Sequence, residues 1–279
     1  MNKFRFGEDP FLDKLIREQE INIKKEKYDN LLKFLHGNAE NLRLNMHIPI
    51  TNDCRINENS FKRIIPPEEI EADKKKIEKI KDSWINPEKN KNALGEKMEV
   101  FKTALFQKFM GENYITIRSS EFDDIINHAD NVIIDKKTGN VVSAFDEVMV
   151  EDESFTFSNE RKTEKMAKIK RLNQEGIHLK YGIRLVEQIN PKTKIQEKVV
   201  KADKETKVPI FCLSLSRKEL QKGIENFDDE KISHNIFNSF MSNLNEQMEE
   251  TSSQKNISEN LINKINDFKK SLKEKGYIQ

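Results

Sequence analysis

The sequence predicts an α/β fold in which a mixed central sheet is flanked by helices. Three observations support this prediction. Residues 95–111 form a dense apolar helix pattern, GEKMEVFKTALFQKFMG, and three runs rich in strand formers follow it: NYITIRSS, DNVIID and NVVSAFDEVMV. Further along, VPIFCLSLS (208–216) is the most apolar strand pattern of the chain, which predicts a central position in the sheet. Helix and strand patterns therefore alternate in the middle of the chain, as in α/β proteins.

Composition narrows the class of protein. Charged and hydrophobic residues each make up 35% of the 279 residues, which predicts a well-solvated protein with a lean core. Lys and Arg number 49 against 48 Asp and Glu, so the total charge does not indicate a nucleic-acid or membrane partner. Cys54 and Cys212 lie far apart, and no apolar run reaches membrane-spanning length. We therefore expect a reduced, cytoplasmic protein without a membrane segment.

The first 90 residues are predicted to form a helical N-terminal extension. Apolar residues recur at helical spacing over 10–36, and Gly37 predicts a helix stop. Pro67 opens a second helix pattern with acidic residues in its first turn. The polar, proline-bearing segment 85–92 is the predicted boundary to a core that spans 91–227.

The predicted core continues with alternating elements after its first helix, which ends at Gly111. The elements expected in chain order are strands at 114–118, 132–134 and 141–150, a helix at 160–175, a strand at 177–189, an exposed hairpin arm at 196–207, the apolar strand at 208–216 and a helix at 217–227. Lys136 to Gly139 predicts a hairpin turn before the third strand. Residues 228–279 are expected to form a linker and an amphipathic C-terminal helix.

Acidic residues mark the hairpin formed by DNVIID and VVSAFDEV. Asp130 begins the first of these strands, and pairing through the Lys-Thr-Gly turn brings it close to Asp146 or Glu147. Two converging carboxylates suit a hard cation such as Mg²⁺. Alternatively, each acid caps a strand or turn and holds no metal.

The runs GEKMEVF, DDIINHADNVIID and VVSAFDEV resemble the PD-(D/E)XK nuclease superfamily, which has the restriction-endonuclease-like fold. The resemblance implies a core of one helix, a three-stranded antiparallel meander, a second helix and a further strand. It also implies a helix acid at Glu96 or Glu99, a strand-start acid at Asp130 and a motif acid at Asp146. The implied Mg²⁺ ligands are Glu99, Asp130 and Asp146, and the implied activity is hydrolysis of phosphodiester bonds in DNA or RNA.

The lysine of the motif is absent from its expected position. Val148 stands two residues after Asp146, and if Glu147 is the motif acid, Met149 stands there instead. Some nucleases of this family supply the cation from a neighbouring helix. The next predicted helix offers three candidates for that cation, about one turn apart: Lys162, Lys165 and Lys168. Of these, Lys165 is the candidate catalytic lysine, together with Asp130 and Asp146.

Charge is segregated along the chain although its total is nearly neutral. Residues 141–160 contain six acids and no Lys or Arg, whereas 161–184 contain eight basic residues and two acids. A basic helix beside an acidic rim favours a surface that binds nucleic acid. Alternatively, the basic residues form a solvated helix face without a partner. The candidate contacts are Lys162, Lys165, Lys168 and Arg171.

The sequence leaves more than one function open. The first is a Mg²⁺-dependent nuclease that uses the acids and the helix lysine. The second is an inactive protein of the same fold that binds nucleic acid or a protein partner, which the apolar residue at the lysine position favours. A helical interaction protein that docks a partner through its charged terminal helices is a further reading.

Overall fold

The computed structural model describes residues 10–83, 94–150, 156–189, 194, 196–202 and 204–279. These residues contain eight α-helices and eight strands. The helices are α1 (Pro10–Met46), α2 (Pro67–Asp82), α3 (Leu94–Met110), α4 (Glu121–Asn127), α5 (Thr156–Leu172), α6 (Arg217–Glu225), α7 (Glu230–Ser252) and α8 (Glu259–Glu274). The strands are β1 (Tyr114–Arg118), β2 (Asn131–Asp135), β3 (Val141–Val150), β4 (Ile177–Leu179), β5 (Ile183–Ile189), β6 (Gln196–Ala202), β7 (Glu205–Val208) and β8 (Ile210–Ser216).

A four-stranded mixed sheet with the order β1-β2-β3-β8 forms the centre of the molecule. The first three strands are antiparallel neighbours, and β8 pairs with β3 in parallel, with Asp146 opposite Cys212. The apolar side of α3 packs on this sheet, where the Phe106 and Phe145 rings lie 5.4 Å apart. The predicted α/β fold with a mixed central sheet flanked by helices is confirmed.

The apolar strand β8 lies at the end of the sheet, so the predicted central position is wrong. Its residues are nevertheless buried, because α5 and α7 pack against it. Gln247 of α7 also satisfies its backbone: the Cys212 amide donates to Gln247 Oε1, and Gln247 Nε2 donates to the Cys212 carbonyl. Side-chain hydrogen bonds thus replace part of a neighbouring strand.

The predicted strand 177–189 is interrupted, and this prediction is corrected to two short strands. The backbone amides of Lys180 and Tyr181 both donate to the buried carboxylate of Asp123, which bends the chain between β4 and β5. β4 then pairs with β7, and β5 pairs with β6 as a separate two-stranded arm. The hairpin arm predicted at 196–207 is therefore divided between two small sheets.

The first helix does not end at Gly37 as predicted; α1 continues to Met46. Leu35 and Ala39 are fully buried on either side of the glycine, so packing maintains the helix through a residue of low helix propensity. Asn38 donates to the Gln107 side chain of α3 at 2.9 Å. The N-terminal extension therefore packs on the α/β core.

The predicted linker is shorter in the structure: it is confined to the connection between α7, which ends at Ser252, and α8, which begins at Glu259. Most of the stretch from residue 228 onward is helical, because α7 spans 23 residues and buries Phe237, Phe240 and Met248. The predicted amphipathic closing helix is confirmed as α8. Its apolar residues Leu261 and Phe268 are buried inside the protein, so this edge is not available to a partner.

Some predictions fall on residues outside the described ranges. The predicted domain boundary at 85–92 is one of them, and the predicted turn at 190–193 is another. Among the described helices, none combines the length and the apolar character needed to cross a bilayer.

Candidate functional site

Two acidic side chains meet where β2 begins and β3 approaches its end. The Asp130 amide donates to the Phe145 carbonyl at 2.8 Å, which fixes the start of β2 against β3. The Glu147 amide lies 2.8 Å from Asp130 Oδ2 and also 2.8 Å from Asp146 Oδ1. The two carboxylate oxygens are therefore separated by no more than twice that distance. The predicted convergence of Asp130 with Asp146 and Glu147 is observed.

Strand alternation directs the two acids of β3 to opposite sides of the sheet. Asp146 lies on the α5 side, where its Oδ1 is 2.5 Å from the Lys165 ammonium nitrogen. Lys165 also donates to the main-chain oxygen of Glu147. Glu147 lies on the α3 side, where its carboxylate forms an ion pair with the fully buried Lys102. Each flanking helix thus supplies one lysine to one acid of β3.

Three carboxylates from three segments form a cluster that could hold a metal ion. Glu99 of α3, Asp124 of α4 and Asp130 each offer one oxygen, and these oxygens lie within 4.8 Å of one another. Local capping orients Asp124, because Ser120 caps α4 by accepting a hydrogen bond from the Asp123 amide. Three hard oxygen donors at this spacing suit a hard divalent cation.

Two arginines neutralise part of this cluster. The Arg55 guanidinium bridges two of the acids, with Nη2 at 3.0 Å from Glu99 Oε2 and Nη1 at 2.9 Å from Asp124 Oδ2. Arg118, whose side chain is fully buried, places Nη2 2.6 Å from the same oxygen of Glu99. Its Nη2 also contacts Glu96 Oε1 at 2.7 Å.

Burial, together with the proximity of the acids to one another, nevertheless raises the pKa values of several of these carboxyl groups. Burial, reinforced by Glu147 and Asp146, raises the pKa of Asp130 well above its ordinary value. Burial raises the pKa of Glu147 to about 8, although Lys102 opposes the rise. Burial and Glu99 raise the pKa of Asp124 against the effect of Arg55. Such carboxyl groups favour either a proton or an additional cation.

A groove of about 810 Å³ opens beside Asp146, between β3 and α5. Its floor includes Val148, which occupies the position expected for the motif lysine. Its basic wall is formed by one side of α5. The positively charged residues that line this wall are Lys165, Lys168 and Arg171. The groove therefore joins an acidic strand end to a basic helix face, and the side chain of Lys162 lies outside the described residues.

The predicted site residues divide between two neighbouring places. Glu99 and Asp130 belong to the three-carboxylate cluster, whereas Glu96 contacts Arg118 at its side. Asp146 is not a member of that cluster; it lies on the α5 side of the sheet and pairs with Lys165 there. Asp124 takes part in the cluster where Asp146 was expected.

Three charged residues of the site were missed by sequence reasoning. Lys102 lies three positions after Glu99, so its place on the same face of α3 was readable from helical spacing. Asp124 lies in the first turn of α4, where acidic residues are common because of the helix dipole alone, so its sequence position does not indicate a site residue. Arg55 gave no signal, because its approach depends on a loop in which Cys54 has a positive φ of 62°.

Comparison of the chain with protein-family models, with curated proteins and with solved structures finds no match.

Proposed function

We propose that the protein is a divalent-metal-dependent nuclease that hydrolyses phosphodiester bonds in DNA or RNA. The observation that carries the proposal is the convergence of Glu99, Asp124 and Asp130 within 4.8 Å. The cluster lies where β2 begins, and Asp130 accepts a hydrogen bond from the amide of Glu147, a residue that lines the basic groove. A metal-binding acid cluster beside a phosphate-attracting surface is the arrangement that such a reaction requires.

The order and direction of the elements support a nuclease of the PD-(D/E)XK type. Helix α3, the meander β1-β2-β3, helix α5 and the parallel strand β8 follow one another as that resemblance implies. Asp130 precedes β2 and Glu147 lies on β3 facing the helix acid. Lysines from both flanking helices, Lys102 and Lys165, accompany these acids where the motif position itself is apolar.

The residues have distinct roles in this proposal. Glu99, Asp124 and Asp130 would hold Mg²⁺, which when bound neutralises phosphate charge and activates water. Burial alone would lower the pKa of Lys165, but Asp146 and Asp130 outweigh burial and raise it. Lys165 therefore stays protonated and can donate to a phosphate oxygen or a departing oxygen.

The remaining charged residues bind and position. Lys168 and Arg171 extend the basic wall along α5 and would bind phosphates of the backbone on either side of the cleaved bond. Lys102 is fully buried and cannot touch substrate. It pairs with the Glu147 carboxylate and partly offsets the repulsion between the acids.

A cleavage assay tests the proposal. Purified protein is incubated with single-stranded DNA, duplex DNA and RNA in Mg²⁺, in Mn²⁺ and in EDTA. We expect metal-dependent cleavage that falls by about 100-fold or more in Asp130→Asn and in Asp124→Asn, because each loses a charged ligand. Asp228→Asn, an exposed acid on another surface, is the matched control and should cleave normally. Absence of both cleavage and a metal-dependent rise in melting temperature would contradict the proposal.

The second candidate is a non-catalytic protein of the same fold that binds nucleic acid. One observation favours it: Arg55 and Arg118 already provide Glu99 and Asp124 with cations. In that case binding to nucleic acid weakens with salt but is unchanged by EDTA and by Asp130→Asn. The same samples used for the cleavage assay separate the two candidates.

A further inference from the structure

Arg55 occupies the space between two of the three carboxylates that could bind a metal. Its two terminal nitrogens each contact a different acid, Glu99 at 3.0 Å and Asp124 at 2.9 Å. A divalent ion held by the same acids would use carboxylates whose charge this guanidinium now offsets, and it would lie within a few ångströms of the guanidinium. The two cations therefore repel each other and compete for the same two carboxylates.

The backbone of Arg55 is held firmly at this place. The Ile56 amide donates to the Arg118 carbonyl at 3.0 Å, and the Arg118 amide donates to the Cys54 carbonyl at 2.9 Å, so the loop pairs with the end of β1. The Thr51 amide donates to the Arg55 carbonyl at 2.8 Å. These backbone hydrogen bonds fix the position of the loop, and the loop in turn places the Arg55 guanidinium beside the acids.

The side chain of Arg55 is the more displaceable of the two arginines. It keeps 16% exposure and has two acidic partners, whereas Arg118 is fully buried. Arg118 also contacts two further acids, Asp53 at 2.6 Å and Glu96 at 2.7 Å. A metal ion entering the cluster can thus release Arg55 while Arg118 stays in place.

We infer that Arg55 is an internal cation that competes with the divalent metal for Glu99 and Asp124 and so sets the affinity of the site. The inference rests on the proposed metal-dependent function. Without metal, Arg55 offsets the repulsion between the acids and keeps the site assembled. When metal binds, the guanidinium leaves the two carboxylates. The free energy of metal binding is then less favourable by the free energy needed to break the two ion pairs of Arg55.

Calorimetric titration of the full chain with Mn²⁺ alone tests this inference. Arg55→Gln removes the competing charge, and Arg43→Gln is the matched control, since Arg43 bonds the Ile50 carbonyl of the same N-terminal region without a contact to the acids. We expect Mn²⁺ to bind Arg55→Gln about tenfold or more tightly than the unchanged protein, because a positive charge a few ångströms from the metal is removed. Arg43→Gln should bind as the unchanged protein does.

Thermal unfolding with and without Mn²⁺ is the second measurement. Without metal, Arg55→Gln should melt lower than the unchanged protein, and Mn²⁺ should raise its melting temperature more. If Arg55→Gln folds only in the presence of Mn²⁺, that result also supports competition. Equal or weaker Mn²⁺ binding by Arg55→Gln overturns the inference while leaving the metal site intact. If neither protein binds Mn²⁺, the metal site and the proposed nuclease function fail together with the inference.

Discussion

Lys165 and Asp146 form an ion pair between α5 and β3, with 2.5 Å between the lysine Nζ and the carboxylate Oδ1. The Asp146 side chain is 5% exposed, whereas the Lys165 side chain keeps 30%. Because Lys165 also donates to the Glu147 carbonyl, it fixes the helix to the strand that carries both acids. The pair is therefore expected to contribute to stability as well as to the proposed reaction.

Replacement of Lys165 by methionine tests both contributions. We expect Lys165→Met to lower the free energy of unfolding by about 1–3 kcal/mol, because a buried carboxylate loses its cation. Urea denaturation measures this change, and a double-mutant cycle with Asp146→Asn isolates the pair energy. Cleavage should be lost in Lys165→Met but retained in Lys75→Met, which replaces an exposed lysine of α2. A cycle with no coupling energy would contradict a role for the pair in stability.

Asp130→Asn should separate stability from metal binding. Asparagine keeps an oxygen that accepts the hydrogen bond from the Glu147 amide. It removes the carboxyl group, whose pKa is raised by burial and by Glu147. Without metal, we expect the free energy of unfolding to stay the same or rise by about 1 kcal/mol, because a buried carboxylate among other acids is replaced by a neutral amide. In Mg²⁺ the variant should lose the metal-dependent rise in melting temperature. A variant that is strongly destabilised and still responds to Mg²⁺ would exclude Asp130 as a ligand.

The elements around the site could be predicted because local patterns determine them. In α3 and in β1 to β3, the local preference of the residues agrees with the structure they adopt in the fold. The order and bounds of these elements therefore follow from the sequence. Asp130 opposite Asp146 follows from strand pairing through a short turn. The order of the elements made Lys165 a candidate for the missing cation, but its ion pair with Asp146 could be found only from the fold.

Predictions failed where distant contacts outweigh local preference. Gly37 has low helix propensity, yet α1 continues beyond it because the residues on either side of it are buried against the rest of the protein. The bend at Lys180 depends on the carboxylate of Asp123, which lies far away in sequence. Arg55 reaches the acids by a loop whose pairing with β1 has no local signal. No alternation or spacing in one segment encodes such contacts, since each needs two segments to meet.

Binding of nucleic acid to the groove should depend on the charges of α5. Lys168→Ala combined with Arg171→Ala should weaken binding to all sequences similarly and lower the slope of log affinity against log salt by about 0.9 for each lost contact to duplex DNA. Fluorescence anisotropy over a range of salt concentrations measures the slope. Lys75→Ala with Lys79→Ala, which removes two exposed lysines of α2, is the control and should leave the slope unchanged. Equal slopes for both double variants would place the nucleic-acid surface elsewhere.

The stability of the metal-free protein should fall as pH rises because of Glu147. Burial raises its pKa from the ordinary 4.5 to about 8, although Lys102 lowers it. The folded protein thus retains a proton that the unfolded chain releases, so the stabilisation is fully present below about pH 4.5 and is lost as pH rises through about 8. Urea midpoints between pH 5 and pH 8.5 should decline more steeply for the unchanged protein than for Glu147→Gln.

Two comparisons make the pH prediction specific to Glu147. Glu78→Gln, which replaces an exposed acid of α2, should keep the full decline. Mg²⁺ should reduce the decline, because a cation in the cluster favours the ionised forms of the neighbouring acids and so lowers their pKa values. If Glu147→Gln declines as steeply as the unchanged protein, Glu147 is already ionised across this range. Lys102 would then neutralise it completely, and the excess negative charge of the site would rest on Asp130 and Asp124 alone.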